Sequence, residues 1–96
     1  MIEHTVAFSL KHAADSAEEK AFLQDMRVFA DIPGVQDFKV NRQVSAKGPF
    51  AFQISMWFDD VAALEEYDAH DLHVDFVTDR WIPEVTQHQT LDLLEI

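Results

Sequence analysis

Two stretches of this chain alternate side chains residue by residue, and that alternation constrains the fold more than any other feature. From Phe50 to Phe58, the residues Phe50, Phe52, Ile54, Met56 and Phe58 fall on one side; Ala51, Gln53, Ser55 and Trp57 fall on the other. From Ile2 to Leu10, the set Ile2, His4, Val6, Phe8 and Leu10 opposes Glu3, Thr5, Ala7 and Ser9. Successive side chains of an extended backbone point to opposite faces, so both stretches predict strands with one bulky apolar face. Such a face must be covered, and the intervening segments predict what covers it.

Ser16-Ala17-Glu18-Glu19 reads as a capping box that opens a helix. Phe22, Met26 and Phe29, with Leu23 and Ala30 beside them, recur at helical spacing and form its buried stripe. Ile32-Pro33-Gly34 stops it. Val35 to Val44 predicts a second strand, with Phe38, Val40 and Arg42 opposing Asp37, Lys39 and Asn41; Ala46-Lys47-Gly48-Pro49 is a turn. Asp59-Asp60 caps a short helix that runs through His70, with Val61, Leu64 and Tyr67 inward. A further short helix runs from Leu72 to about Trp81 and ends at Pro83, and Glu84 to Ile96 predicts the last strand.

The order β-α-β-β-α(α)-β is the ferredoxin-like split βαβ arrangement, an α+β fold with a four-stranded antiparallel sheet and helices on one face. A length of 96 residues allows one domain, residues 1–96, and not two cores. The apolar share of 48% is that of a packed protein, not a disordered one. The uncovered sheet face would carry Thr5, Ala7, Ser9, Gln53, Ser55 and Trp57, joined by Gln87, Gln89, Leu91 and Leu93. These are small or amphipathic and uncharged, whereas a face meant for water carries Lys and Glu. A second copy of the chain, related by a two-fold axis, is the simplest cover, which predicts a homodimer through the sheet face.

The formal charge of −11 opposes contact with phosphate backbones, so nucleic acid is excluded as a partner. The absence of cysteine excludes disulfides and thiolate zinc sites. No apolar run reaches membrane-spanning length, and no basic flank precedes the N-terminal strand; the expectation is a cytoplasmic protein without a membrane partner.

The chemistry-bearing residues concentrate in EYDAHDLHVDF, Glu66 to Phe76, which holds the only tyrosine and two of the five histidines. On a helix, His73 shares its side with Phe76, Val77, Arg80 and Trp81, so it faces inward. His4 lies on the bulky strand face, and Tyr67 continues the Val61–Leu64 stripe. The three converge under the helices. A histidine there can move a proton near neutral pH, and a tyrosine hydroxyl can donate to a carbonyl oxygen as charge develops on it. The alternative for each is a core residue hydrogen-bonded to the backbone. His70 reads as a cap at a helix end, where a cation is favoured, and His12 and His88 read as surface residues. The spacing Tyr67-x-x-His70-x-x-His73 lacks the ligand pattern of a zinc site, so no metal is assigned. No phosphate loop is present, and no cofactor is assigned.

The segments IEHTVAFSL, ADIPGVQDFKV, FQISMWFDD and LEEYDAHDLHVDFV, in this order and spacing, resemble the stress-responsive A/B barrel (Dabb) family over essentially the whole chain. The resemblance implies a dimeric α+β barrel in which two ferredoxin-like sheets pack face to face. The family includes plant stress-associated proteins, bacterial proteins without assigned activity, and olivetolic acid cyclase, a polyketide cyclase. In that cyclase a tyrosine and a histidine of the seam are catalytic, and they match Tyr67 and His73; a strand-one pocket histidine matches His4. A further pocket histidine of the cyclase is Phe52 here, and the family's usual proline between the seam histidines is Asp71. The pocket implied is therefore more apolar, with His4, Phe52, Phe76 and Trp81 as ligand-binding residues and Tyr67 and His73 as the catalytic pair. Some members hold magnesium at main-chain carbonyls that match Phe29, Ile32 and Val35. Three functions stay open: a binder of a small apolar or carbonyl-containing ligand, a cofactor-free cyclase or isomerase, and a structural stress-associated dimer.

Overall fold

The computed structural model describes residues 1–96. The strands are β1 (Ile2–Leu10), β2 (Gln36–Arg42), β3 (Phe52–Phe58) and β4 (Val85–Leu94). The helices are α1 (Ala17–Asp25), α2 (Val61–Ala69), α3 (Asp71–Phe76) and the one-turn α4 (Ile82–Glu84). A 3-10 segment, Met26–Asp31, extends α1, and a π turn, Val77–Trp81, joins α3 to α4. The strands form one antiparallel sheet in the order β2-β3-β1-β4. This is the ferredoxin-like arrangement that the strand and helix order predicts.

The alternation of β1 and β3 builds the core. In register, His4 opposes Met56, Val6 opposes Ile54 and Phe8 opposes Phe52. All six are buried, as is Phe58. Phe22, Met26, Phe29, Leu64, Tyr67 and Phe76 close over them from the helices. Phe8 packs its ring against Phe22 and Trp81, and Phe58 packs against Tyr67, with centroids 5.0–6.2 Å apart. Such tilted aromatic contacts each add to the stabilisation from burial alone.

Local chemistry sets the helix ends. The Glu19 N–H donates to Ser16 Oγ at 3.2 Å, and the Ala63 N–H donates to Asp60 Oδ1 at 2.9 Å. The return arm of the first cap differs from a regular capping box: Glu19 Oε1 accepts from the Asp15 N–H at 3.3 Å. Gly34, at φ +92°, turns the chain after the 3-10 segment in a conformation that few other residues adopt.

Four details depart from the sequence-based expectation. The second strand is shorter, and a bulge between Gln36 and Lys39, with Asp37 at φ 51°, shifts its register. Val61 is not inward but 54% exposed, since it is the first residue of α2 and lies at the helix's open end. Pro83 does not end the helical stretch; it occupies the first turn of α4, where its missing N–H has no partner to lose. The third helix is not uniformly α: the π turn widens the helix just where the chain passes the core.

On the opposite sheet face, Thr5, Ala7, Ser9, Gln53 and Trp57 are half-buried and Ser55 is buried. Leu91 and Leu93 are exposed there at 51% and 44%. The register also puts Glu3 beside Trp57 and Lys39 beside Ser55. The face is thus uncharged in its centre with one charge at each of two margins, not uncharged throughout.

Candidate functional site

The helices cover β1 and β3 but leave the helix-facing side of β4 open. His88, Thr90 and Asp92, which pair with Phe8, Val6 and His4, are all exposed there. Between this strand and the helix layer lies a cavity of about 260 Å³. Val6 and Ile54 of the sheet form its floor; Phe29, Tyr67, Asp68 and His73 line one wall. Val77 and Trp81, carried in by the π turn, line another, and His88, Thr90 and Asp92 complete it.

His4, Tyr67 and His73 therefore meet at one space. The Tyr67 ring lies 4.7 Å from that of His73 and 5.6 Å from that of His4, centroid to centroid. Phe29 backs both Tyr67 and His73, at 5.9 and 5.4 Å.

Hydrogen bonding orients the two imidazoles. His4 Nδ1 bonds the Asp92 carboxylate. An ionised carboxylate only accepts, so Nδ1 carries the proton of that bond. His73 Nδ1 donates to the Asp68 main-chain carbonyl at 3.0 Å, which leaves its Nε2 without a hydrogen-bond partner. Burial lowers the His73 pKa from its ordinary value; the nearby His4 adds to the lowering, and the Asp68 carboxylate and carbonyl oppose it. His73 is thus held neutral at physiological pH, the form in which it can accept a proton.

Tyr67 is 1% exposed. Burial, and then the Asp68 charge, push its hydroxyl far above the usual tyrosine range, so it stays a donor. No protein group hydrogen-bonds that hydroxyl. Since no fully enclosed side-chain nitrogen or oxygen lacks a partner, the oxygen opens onto the cavity. The Tyr67 donor and the His73 Nε2 lone pair thus converge on an apolar-floored space.

The other residues singled out from sequence fall elsewhere. Trp81 lines the cavity, but Phe52 and Phe76 do not. Phe52 lies at the far end of the core, under the Arg42 guanidinium at 5.0 Å, because β3 runs away from the cavity there. Phe76 is enclosed between Phe22 and Phe29. His70 is a cap, but not a cationic one: its Nδ1 accepts from the Leu72 N–H at 3.1 Å and so serves the start of α3. His12 is not a free surface residue; its Nε2 lies 2.6 Å from Glu84 Oε1. His88 packs on Trp81 at 5.9 Å and lines the cavity. Asp68, His88 and Asp92 are the site residues that sequence reasoning passed over. The signal for the last two was the β4 alternation: once Gln87, Gln89, Leu91 and Leu93 take the outer face, the even-numbered residues must face the helices.

The Phe29 and Ile32 carbonyls already accept the Ile32 and Val35 N–H groups, both at 3.2 Å. Each of these carbonyls keeps a second lone pair, so the bonds leave both able to meet a cation. No group of three or more acidic, histidine or cysteine side chains is spaced to hold a metal ion. No helix is long and apolar enough to cross a membrane.

Residues 2–94 match the family model of the stress responsive A/B barrel domain. A crystal structure of a Dabb family protein with a ferredoxin-like fold from Mesorhizobium loti is 46% identical, with a TM-score of 0.97, covering 99% of this chain and 96% of that one. A hydroxynitrile lyase from Passiflora edulis is 13% identical, with a TM-score of 0.84 over 99% and 93% of the two chains. A dimeric ferredoxin-like protein of unknown function from Thermobifida fusca is 14% identical, with a TM-score of 0.80 over 98% and 90%. Further neighbours are likewise described as dimeric. No curated protein matches the sequence.

Proposed function

The chain belongs to the stress responsive A/B barrel domain family, and from that premise we propose that it binds a small apolar or carbonyl-containing molecule in the cavity between sheet and helices. The observation that carries this is the unpartnered Tyr67 hydroxyl, which opens onto a space of about 260 Å³ instead of being satisfied by the protein. A buried hydroxyl without a partner is costly unless something else accepts its hydrogen bond. The volume lies just below the usual range of ligand sites, which starts at about 300 Å³. Since about 150 Å³ suffices for benzene, the fit is to a single ring with a short polar substituent. A purely structural role would be better served by side chains that filled this space.

The second reading is a cofactor-free cyclase or isomerase that transfers a proton next to a carbonyl. What favours it is the pairing of Tyr67 as donor with His73, held neutral with a free Nε2, as base; His4, fixed by Asp92, orients the ligand. The neighbour named a hydroxynitrile lyase, at 13% identity, shares the fold. We further propose a homodimer through the outer sheet face, as the neighbours described as dimeric suggest.

The test is a fragment screen of monocyclic ketones, aldehydes and amides against isotope-labelled protein. Binders should shift the amide signals of Tyr67, His73 and His4 together and quench Trp81 fluorescence. A screen in which no compound perturbs those residues would remove the binding proposal and leave the structural reading.

A further inference from the structure

The cavity offers a neutral ligand hydrogen-bond partners but offers an anion no lysine or arginine. The chain has 7 lysines and arginines, and none lines the cavity. Two carboxylates do: Asp68, whose side chain is 56% exposed, and Asp92, at 43%. Of the histidines there, His73 is held neutral, and His4 already bonds the Asp92 carboxylate. His88 is stacked against Trp81 at the cavity's edge. The donors that remain for a ligand carry no formal charge of their own: the Tyr67 and Thr90 hydroxyls and a His88 ring N–H. A carboxylate whose oxygen took the Tyr67 hydrogen bond would bring its charge close to Asp68, the residue next to Tyr67 in the chain, with no cation to offset it. It would also shed hydration that an apolar lining of Val6, Ile54 and Phe29 cannot replace. The molecule as a whole, at −11, adds to the repulsion during approach.

We infer that the site is a charge filter: it takes neutral monocyclic carbonyl compounds, ketones, aldehydes or carboxamides, and excludes the corresponding carboxylates through Asp68 and Asp92. This deepens the proposed binding function and rests on it. If the site is catalytic, its substrates are neutral, and a reaction that generates a carboxylate would be helped by expulsion of that product.

The experiment compares benzamide, acetophenone and benzoate, which share a ring and a carbonyl carbon but differ in charge. Binding is read from amide and imidazole chemical shifts of the cavity residues at pH 7.5 and low salt. The two neutral compounds should bind, and benzoate should bind roughly tenfold more weakly or not measurably, given partly screened like-charge repulsion at this range. Asp68→Asn, on the exposed side of the cavity, should narrow the gap between benzamide and benzoate. Asp68→Asn combined with Asp92→Asn should narrow it further, with spectral dispersion confirming the fold. Raising the salt concentration should shrink the gap in the parent. Benzoate binding as tightly as benzamide would overturn the charge filter and leave the binding function standing. So would a gap unchanged by both substitutions. If none of the three perturbs the cavity residues, the binding function itself falls with it.

Discussion

His73 and Tyr67 are each shaped by what surrounds one atom. The Asp68 carbonyl holds the His73 proton at Nδ1, and burial then disfavours a second proton. The sign of the consequence is fixed. Folded His73 binds its proton less tightly than an unfolded histidine, whose value is 6.5. As pH drops below 6.5, the unfolded chain gains the proton first, and the stability owed to neutral His73 is lost through that interval. An imidazole NMR titration should therefore give a His73 midpoint below 6.5; a midpoint at or above it would contradict the burial. If the chain is an enzyme, His73→Ala should cost at least about two decades in turnover, the usual worth of a positioned base. Tyr67→Phe keeps the ring and should lower turnover more than binding. Near-parental turnover in both variants would make the seam structural.

At the scale of elements, two devices hold the helix layer in register with the cavity. One is the Asp60 cap of α2, the helix that carries Tyr67. Asp60→Ala should destabilise the fold by about 1 kcal/mol, measured by urea unfolding, with little change in the cavity shifts. The other is a network at the end of β1. Arg80 donates to Glu84 at 2.6 Å and to Asp25, and its guanidinium lies over the Phe22 ring at 5.6 Å. Glu84 also meets His12. These contacts tie the π turn and α4 to α1 and β1, and so place Val77 and Trp81. Burial by itself would raise the Glu84 carboxyl, but hydrogen bonds from Arg80 and His12 outweigh it and hold the group below its ordinary value of 4.5. The stability this contributes is complete above pH 4.5 and is lost as pH falls below it through the lowered folded-state value. Glu84→Gln should flatten that part of the stability–pH curve; an unchanged acid limb would show that the network contributes little.

For the whole molecule, the decisive surface is the outer sheet face. Its centre exposes Leu91 and Leu93 beside half-buried Trp57, with Glu3 and Lys39 only at the margins. The proposed two-fold assembly would bury that centre. Trp57→Glu or Ser55→Lys should split it, since each sets a charge against the partner sheet without a counter-ion. Sedimentation should then move from dimer to monomer. A parent that sediments as a monomer at micromolar concentration would remove the assembly. The cavity lies on the other side of the sheet, so the monomeric variants should still bind the neutral fragments.

Much of this was legible in the chain itself. Alternation in β1 and β3 settled which residues face the helices, because the backbone repeats every two residues whatever the tertiary context. Ser16, Asp60 and Gly34 marked their boundaries by local hydrogen bonding or φ preference, and the resemblance of whole segments pointed to the family. Other features depended on contacts distant in sequence. His4 and Asp92 are 88 residues apart, and only strand pairing brings them to one hydrogen bond. The π turn that carries Val77 and Trp81 at the cavity is tied through Arg80 to Asp25, 55 residues away in the chain. Phe52 and Phe76 show the same limit from the other side. Alternation and helical spacing assigned them to the interior, and the resemblance put Phe52 at a pocket position; which interior residues border empty space and which are enclosed is decided by how β3 and the helices pack together.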